Sequence, residues 1–292
     1  MDITSYLKEK KDLVDSFLAS YCDRAIQPSV LHESMKYSLL AGGKRIRPIL
    51  CIASYEACGG NGTEVLPQAC ALEFIHTYSL IHDDLPTMDN DSLRRGKPTN
   101  HVVFGEAMAI LAGDALLTDA FRVFSESKTL APERLLAGMR DLSASAGIMG
   151  MVAGQAQDII SENGEPSEEI VQFIHMNKTA ALIRSSVTIG AHLAGADDDD
   201  MPLFSKFGSN IGLAFQVIDD ILDIEGTTEE LGKPKGSDME KKKMTYPSVY
   251  GIEQSRAIAG ELISSAGASI RKIKGNPQNL IAIADYLLAR TS

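Results

Sequence analysis

Apolar residues recur every three to four positions along almost the whole chain, the period of helices that bury one face. The pattern predicts helices at roughly 3–21, 29–41, 46–58, 64–82, 105–127, 132–161, 167–195, 199–225, 246–268 and 276–289. Breaks fall at Gly42-Gly43, Gly59-Gly60-Asn61-Gly62, Asn163-Gly164-Glu165-Pro166 and Gly275-Asn276-Pro277, where glycine, asparagine and proline favour turns. Ser167-Glu168-Glu169 supplies a capping hydroxyl and two first-turn acids to the helix after it. Strand-like runs are few. Segments 64–82, 105–127 and 205–223 are apolar around much of their circumference, which places them in the middle of a bundle. No Gly/Ser-rich or Pro-rich linker divides the chain. The predicted fold is therefore all-α, a single domain over residues 1–292 built as a bundle of about ten or more helices.

Two of these apolar helices carry crowded carboxylates. The first ends in His82-Asp83-Asp84-Leu85-Pro86-Thr87-Met88-Asp89, followed by Arg94-Arg95-Gly96-Lys97-Pro98. Pro86 removes a helical N–H and disfavours helix at Leu85, so the chain must bulge before Asp89 can return toward Asp83. Acids at a helix C-terminus oppose the helix dipole, which makes a plain acidic terminus energetically awkward. The second set is Gln216, Asp219, Asp220 and Asp223, spaced i, i+3, i+4, i+7. At about 100° per residue they form one polar stripe on an otherwise apolar helix. Carboxylates so crowded repel unless a cation sits between them. Hard oxygen ligands in small clusters suit Mg²⁺, which takes its remaining ligands from water and substrate phosphates. Arg and Lys nearby supply the charge such phosphates need. Two such sets suggest a diphosphate clamped from two sides.

Composition narrows the classes. The 292 residues carry a formal net charge of −11, which argues against a nucleic-acid partner, since phosphate backbones need a basic face. No apolar stretch reaches the ~18 to 20 residues of a membrane span. Residues Met1 to Lys11 are charged and lack an apolar signal core. Cys22, Cys51, Cys58 and Cys70 have neither CxxC spacing nor metal-ligand neighbours, so they read as reduced thiols in a cytoplasm. Asp197 to Asp200, with no base beside them, read as a solvated turn and helix start.

Further motifs accompany the aspartates: Gly42-Gly43-Lys44-Arg45-Ile46-Arg47-Pro48, Glu73 through Asp84, Gly113-Asp114-Ala115-Leu116, and Gly154-Gln155 with Asp158. Lys178-Thr179, Phe215-Gln216, Gly232-Lys233, and Asp238 with Lys243-Met244-Thr245-Tyr246-Pro247 complete them. In this order, from about Ser34 to the C-terminus, they resemble the trans-isoprenyl diphosphate synthases, most closely the bacterial farnesyl diphosphate synthases. A lone DDxxD is weak. Both aspartate motifs together with the Lys/Arg elements are highly specific.

The resemblance implies helices around a deep central cavity (the isoprenoid synthase type), usually in a homodimer. It implies Mg²⁺-dependent joining of isopentenyl diphosphate to an allylic diphosphate, with three ions held by the two aspartate sets. Asp83, Asp84 and Asp89 would hold ions on one wall. Asp219, with Asp220 and Asp223 nearby, would hold the ion opposite. Arg94, Lys178 and Lys243 would contact the allylic diphosphate, with Lys233 closing over it. Lys44, Arg47, His76 and Arg95 would hold isopentenyl diphosphate. The Thr179 hydroxyl, the Lys178 carbonyl and the Gln216 amide oxygen would face the allylic cation, which needs a dry cavity with a few aimed acceptors. Released diphosphate takes the departing proton, so no side-chain general base is required.

Product length should depend on the floor of that cavity. Ser79 and Tyr78 lie four and five residues before Asp83, roughly 6 to 8 Å along the helix at ~1.5 Å per residue. Tyr78 is bulky enough to close it. In the related bacterial farnesyl synthases an aromatic stands here, which implies farnesyl diphosphate made from dimethylallyl and geranyl diphosphates. The alternatives are a geranylgeranyl or longer synthase, a class I terpene cyclase, and a non-catalytic subunit that tunes another synthase. Cyclases usually replace the second aspartate set, and a dead subunit should have lost its carboxylates or bases.

Overall fold

The computed structural model describes residues 2–24, 26–127, 129–162, 164–226 and 243–289. In chain order its helices are α1 (Ile3–Cys22), α2 (Ser29–Leu39), α3 (Ile46–Ala57), α4 (Leu66–Asp83), α5 (Asn100–Phe104), α6 (Glu106–Ser125), α7 (Pro132–Ala146), α8 (Met151–Ser161) and α9 (Glu168–Ile174). A π-helical segment (His175–Ala180) joins α9 to α10 (Ala181–Ala194). After these come α11 (Met201–Glu225), α12 (Tyr246–Tyr250), α13 (Ile252–Ile270) and α14 (Gln278–Leu288). Among the described residues the only strands are β1 (Leu93–Arg94) and β2 (Lys97–Pro98), a two-stranded hairpin. The fold is all-α, as the periodicity predicts.

Capping follows local chemistry. The Asp2 carboxylate accepts from the Ser5 N–H at 3.3 Å and opens α1. The Ser167 hydroxyl accepts from the Ile170 N–H and opens α9, the cap expected from Ser167-Glu168-Glu169. Thr245 and Ser248 form a reciprocal capping box for α12.

Three differences have local causes. The segment predicted as one helix over 132–161 is two, because Gly147 and Gly150 take extended, non-helical backbone angles. The helix predicted over 246–268 divides at Gly251. The short β1–β2 hairpin and α5 fall in a stretch with too few residues for a period to emerge.

The chain clusters into two compact units. One comprises Met1–Ile49 and Thr63–Thr129. Its centre is α4, which lies along α6 and also meets α1 and α2. Every α4 residue from Gln68 to Ile75 is buried, as its all-round apolar character requires. Tyr21 meets Phe74 edge-on at 4.7 Å, a favoured aromatic geometry.

The other unit comprises Leu50–Gly62 and Leu130–Ser292. Its centre is α11, flanked by α10, α13 and the π segment. Val217, Ile218 and Ile221 of α11 share a core cluster with Val171, Ile174 and Tyr246. The aspartate turn before α11 differs from expectation at Asp200. Asp200 is buried and accepts the Lys274 N–H at 3.1 Å, and the Lys274 ammonium meets Asp197. Asp197 to Asp199 are exposed, as a solvated turn and helix start should be, and Asp200 alone is buried, tied to the C-terminal region. None of the four cysteines forms a disulfide, and burial pushes the Cys22 and Cys58 thiols up to about 11.

Candidate active site

In the first unit, α4 stops at Asp83 and the chain bulges as Pro86 demands. The Asp89 N–H donates to the Asp83 carbonyl at 2.8 Å, and the Met88 and Asn90 N–H groups donate to Leu85 at 2.9 and 3.0 Å. The backbone of Asp89 is thereby returned to Asp83. Asp84 is buried and accepts a bidentate pair from Arg94, at 2.6 to 3.0 Å. Burial pushes the Asp84 carboxyl up, against the opposing pull of Arg94.

The hairpin aims two arginines. Arg95 and Gly96, its turn residues, both have positive φ, +54° and +73°, as tight two-residue hairpin turns require. The Arg95 guanidinium donates to the Gly42 carbonyl. It lies so close to Gly43 that a Cβ there would stand 2.8 Å from Arg95 Cζ, and Gly43 has φ +128°. The backbone angle therefore favours glycine at 43, and a side chain there would also displace the Arg95 guanidinium.

Sequence reasoning assigned no role to Arg45, yet it organises the Gly42–Pro48 loop. Arg45 is buried with φ +54° and donates to Asp15 at 2.8 Å, Glu73 at 2.6 Å and the Leu39 carbonyl at 2.9 Å. Its neighbours diverge from it. Lys44 is exposed and Arg47 half-buried in the first turn of α3. Glu73 and His76, one turn apart on α4, carried the only signal that a buried cation belonged here.

His76 lies among cations. Burial first, then the charges of Arg47, Arg95, Arg94 and Arg45, hold its pKa well below the usual imidazole value. Four of the predicted diphosphate ligands, His76, Arg47, Arg94 and Arg95, are thus brought together. An open cleft of about 380 Å³ in this unit is lined by Tyr37, Leu80, Ile81, Asp84, Arg94 and Arg95, among others. Tyr78 is buried and meets the His82 ring edge-on at 5.7 Å. Burial and the Asp83 charge push its hydroxyl up to about 12. The Ser79 hydroxyl donates to the His76 carbonyl at 3.0 Å.

In the second unit, the stripe on α11 resolves into unlike carboxylates. Asp219 is half-buried, whereas Asp220 and Asp223 are each 2% exposed. Asp220 accepts from His175 Nε2 at 2.7 Å, from the Tyr246 N–H at 2.9 Å and from Gln216 Nε2 at 2.9 Å. The Thr179 hydroxyl donates to Gln216 Oε1 at 2.7 Å, so the two predicted cation-facing oxygens are neighbours.

The π segment holds Lys178 and Thr179. A Cβ on Gly154 would overlap the Lys178 backbone nitrogen, so only glycine lets α8 approach so closely. One turn along α8, buried Asp158 accepts from Lys178 Nζ at 2.6 Å and stands 3.8 Å from Lys243 Nζ. Asp158 gathers two predicted diphosphate ligands. Lys233, Gly232 and Asp238 lie outside the described residues.

The donors suit Mg²⁺. They are all hard carboxylate oxygens: Asp83 ends α4, Asp89 lies in the bulge that follows, and Asp219 lies within the last two turns of α11. Among the described residues no three ligands already converge on a single point. Mg²⁺ does not require that, since it uses one or two carboxylates and completes its shell with water and phosphate oxygens. Arg94 and Arg95 in the first unit, and Lys178 and Lys243 in the second, are each side chains of the kind that binds phosphate oxygens.

Residues 28–277 match the sequence profile of the polyprenyl synthetase family. A geranylgeranyl diphosphate synthase of Cyanophora paradoxa is 47% identical over 293 residues, covering 100% of this chain and 97% of the relative. A chloroplastic geranylgeranyl pyrophosphate synthase of Capsicum annuum is 47% identical over 98% of this chain and 78% of its own length. Among solved structures, a geranyltransferase of Helicobacter pylori, complexed with magnesium and isoprenyl diphosphate, superposes with a TM-score of 0.85. It is 34% identical, covering 99% of this chain and 97% of that one.

Proposed function

This chain belongs to the polyprenyl synthetase family, and from that premise we propose that it joins isopentenyl diphosphate head-to-tail to allylic diphosphates, with geranylgeranyl diphosphate as the final product. The expectation of a farnesyl product rested on Tyr78. Full-length identity of 47% to a geranylgeranyl diphosphate synthase weighs against it and carries the longer product. The farnesyl reading stays as the second one, supported by a bulky Tyr78 that is buried and lies five residues before Asp83, where the related bacterial farnesyl synthases carry an aromatic.

The chemistry follows from charge. Ionising an allylic diphosphate builds negative charge on the leaving group and positive charge on carbon. Mg²⁺, when bound through Asp83, Asp84, Asp89, Asp219 and Asp223, supplies Lewis-acid stabilisation of the leaving diphosphate. Lys178, Lys243 and Arg94 bind and orient that diphosphate, with Lys233 completing the set. Lys44, Arg47, Arg95 and His76 hold isopentenyl diphosphate. A neutral His76 donates one hydrogen bond without adding a fifth positive charge. Oxygens of Thr179 and Gln216 face the allylic carbon as charge develops there. The isopentenyl double bond attacks, and the departing proton passes to diphosphate.

The whole chain acts as one catalytic domain, and two copies form the working homodimer. No described helix is long and apolar enough to cross a membrane. The cytoplasm is the proposed compartment; the pepper relative is chloroplastic.

The deciding experiment is chromatography of products made from labelled isopentenyl diphosphate with dimethylallyl, geranyl and farnesyl diphosphates in turn. A C20 product from all three is expected. Arrest at C15, with farnesyl diphosphate refused as primer, would establish the farnesyl reading. Failure to incorporate label with any primer would end both.

A further inference from the structure

We infer that Asp220 serves the reaction from inside the protein, as the centre of a positioning relay that begins at His175, and is not a metal ligand. Periodicity cannot separate Asp220 from Asp219 and Asp223, because all three share one stripe. Their surroundings separate them. Asp220 is 2% exposed and its oxygens already accept three hydrogen bonds: His175 Nε2 at 2.7 Å, the Tyr246 N–H at 2.9 Å and Gln216 Nε2 at 2.9 Å. A carboxylate has about four acceptor sites, so these three donors leave about one open on a buried group. Asp219, on the same helix, is less deeply buried.

The relay has a direction. A carboxylate accepts only, so its contacts with Gln216 must be made by the amide NH₂. That leaves the Gln216 Oε1 to accept the Thr179 hydroxyl proton at 2.7 Å. Once Thr179 has committed its proton to Gln216, the hydroxyl can turn only lone pairs toward anything else. The Asp220 charge thus fixes a hydroxyl as an acceptor, the polarity a developing carbocation needs.

His175 is the part that no other role explains. It is 3% exposed, and its Nδ1 is buried with no partner among the described residues. Leaving a buried polar nitrogen unbonded costs about 1–3 kcal/mol. A histidine kept there at that cost is kept for its other nitrogen, the one on Asp220. It opens the π segment, three and four residues before Lys178 and Thr179, and meets the Tyr246 ring edge-on at 5.1 Å. His175 and Asp220 are positioning residues, acting through Gln216 and Thr179. This rests on the reading of the chain as a prenyl diphosphate synthase.

Two measurements test it on the full chain. One is calorimetric titration of inorganic pyrophosphate with Mg²⁺, which reads metal-dependent binding without turnover. The other is steady-state kinetics with isopentenyl and geranyl diphosphates. Asp219→Asn should weaken pyrophosphate binding by ~10-fold or more. Asp220→Asn and His175→Leu should leave it within about threefold of wild type, while kcat falls ~10²-fold at nearly constant KM, the size expected for lost orientation. His175→Gln, which keeps an N–H near the Nε2 position, should regain most of the turnover. The double variant His175→Leu/Asp220→Asn should be little worse than either single one.

Equal loss of pyrophosphate binding in Asp220→Asn and Asp219→Asn would make Asp220 a metal ligand and overturn the relay. So would full turnover in His175→Leu. If His175→Leu fails to fold, Asp220→Asn alone decides through the split between binding and turnover. Wild-type protein that binds pyrophosphate with Mg²⁺ but incorporates no isopentenyl diphosphate would sink the parent reading instead.

Discussion

A histidine that refuses a proton among four arginines leaves a mark on stability as well as on binding. Folded His76 has its pKa held well below 6.5 by burial and by Arg47, Arg95, Arg94 and Arg45. The unfolded chain takes up a proton near pH 6.5 that the folded chain declines. Stability is therefore full above that pH and falls as pH drops below it, by up to about 1.4 kcal/mol per pH unit for one group. Urea denaturation between pH 7 and pH 5 should show a shallower loss in His76→Gln than in wild type; equal slopes would remove His76 as the source. Arg45 makes a second residue-scale prediction. Arg45→Met leaves Glu73 buried without its 2.6 Å partner, which should cost about 3–5 kcal/mol and lower the melting temperature measured by calorimetry. Tyr78 bears on product length. If its ring is the floor, Tyr78→Ala yields a longer chromatographic product, and an unchanged distribution would reassign Tyr78 to core packing alone. The aspartates, the Lys/Arg motifs and Tyr78 were all legible in the sequence because each stands in a recognisable pattern. Arg45 and Asp158 stood in such motifs and His175 in none, but the partners of all three were hidden, because they are 28, 20 and 45 residues away.

At the scale of elements, the π segment decides where chemistry can occur. An extra residue in a helical turn re-aims the side chains beyond it, and such segments are frequent at functional sites. Here His175, Lys178 and Thr179 all lie on it, and Gly154 of α8 abuts it without a Cβ. Gly154→Ala should push α8 and the Lys178 backbone apart. A displacement of about 1 Å is enough to lower kcat ~10²-fold, with far-UV circular dichroism unchanged because both helices persist. Retained turnover would show that the contact can relax. Periodicity located nearly every helix, yet it ran through Gly147–Gly150 and Gly251 without a break. An apolar pattern can stay in phase across a kink; only the backbone angles at the glycines reveal it.

At the scale of the molecule, the homodimer expectation has a physical correlate in the first unit. Val102 and Val103 of α5 and Ile110 and Leu111 of α6 are 44–53% exposed. Exposed apolar side chains on these two consecutive helices are where a dimer contact would be sought first. Sedimentation velocity should give a dimer for wild type and a monomer for Leu111→Glu; a monomeric wild type would end that expectation. Metal dependence also belongs to the whole assembly. EDTA should abolish incorporation of labelled isopentenyl diphosphate and added Mg²⁺ should restore it, without a change in helix content, since described ion pairs and core clusters hold the fold without metal.

Amino-acid order alone determined the all-helical class, the two acidic motifs on apolar helices, and the family, because each is a matter of spacing along one chain. Tertiary structure decided how carboxylates of identical spacing differ: Asp84 held by Arg94, Asp220 enclosed by His175, Tyr246 and Gln216, and Asp219 left more open. Burial and partners from distant segments set the chemistry of a charged group. Neither has a period that a one-dimensional pattern can carry.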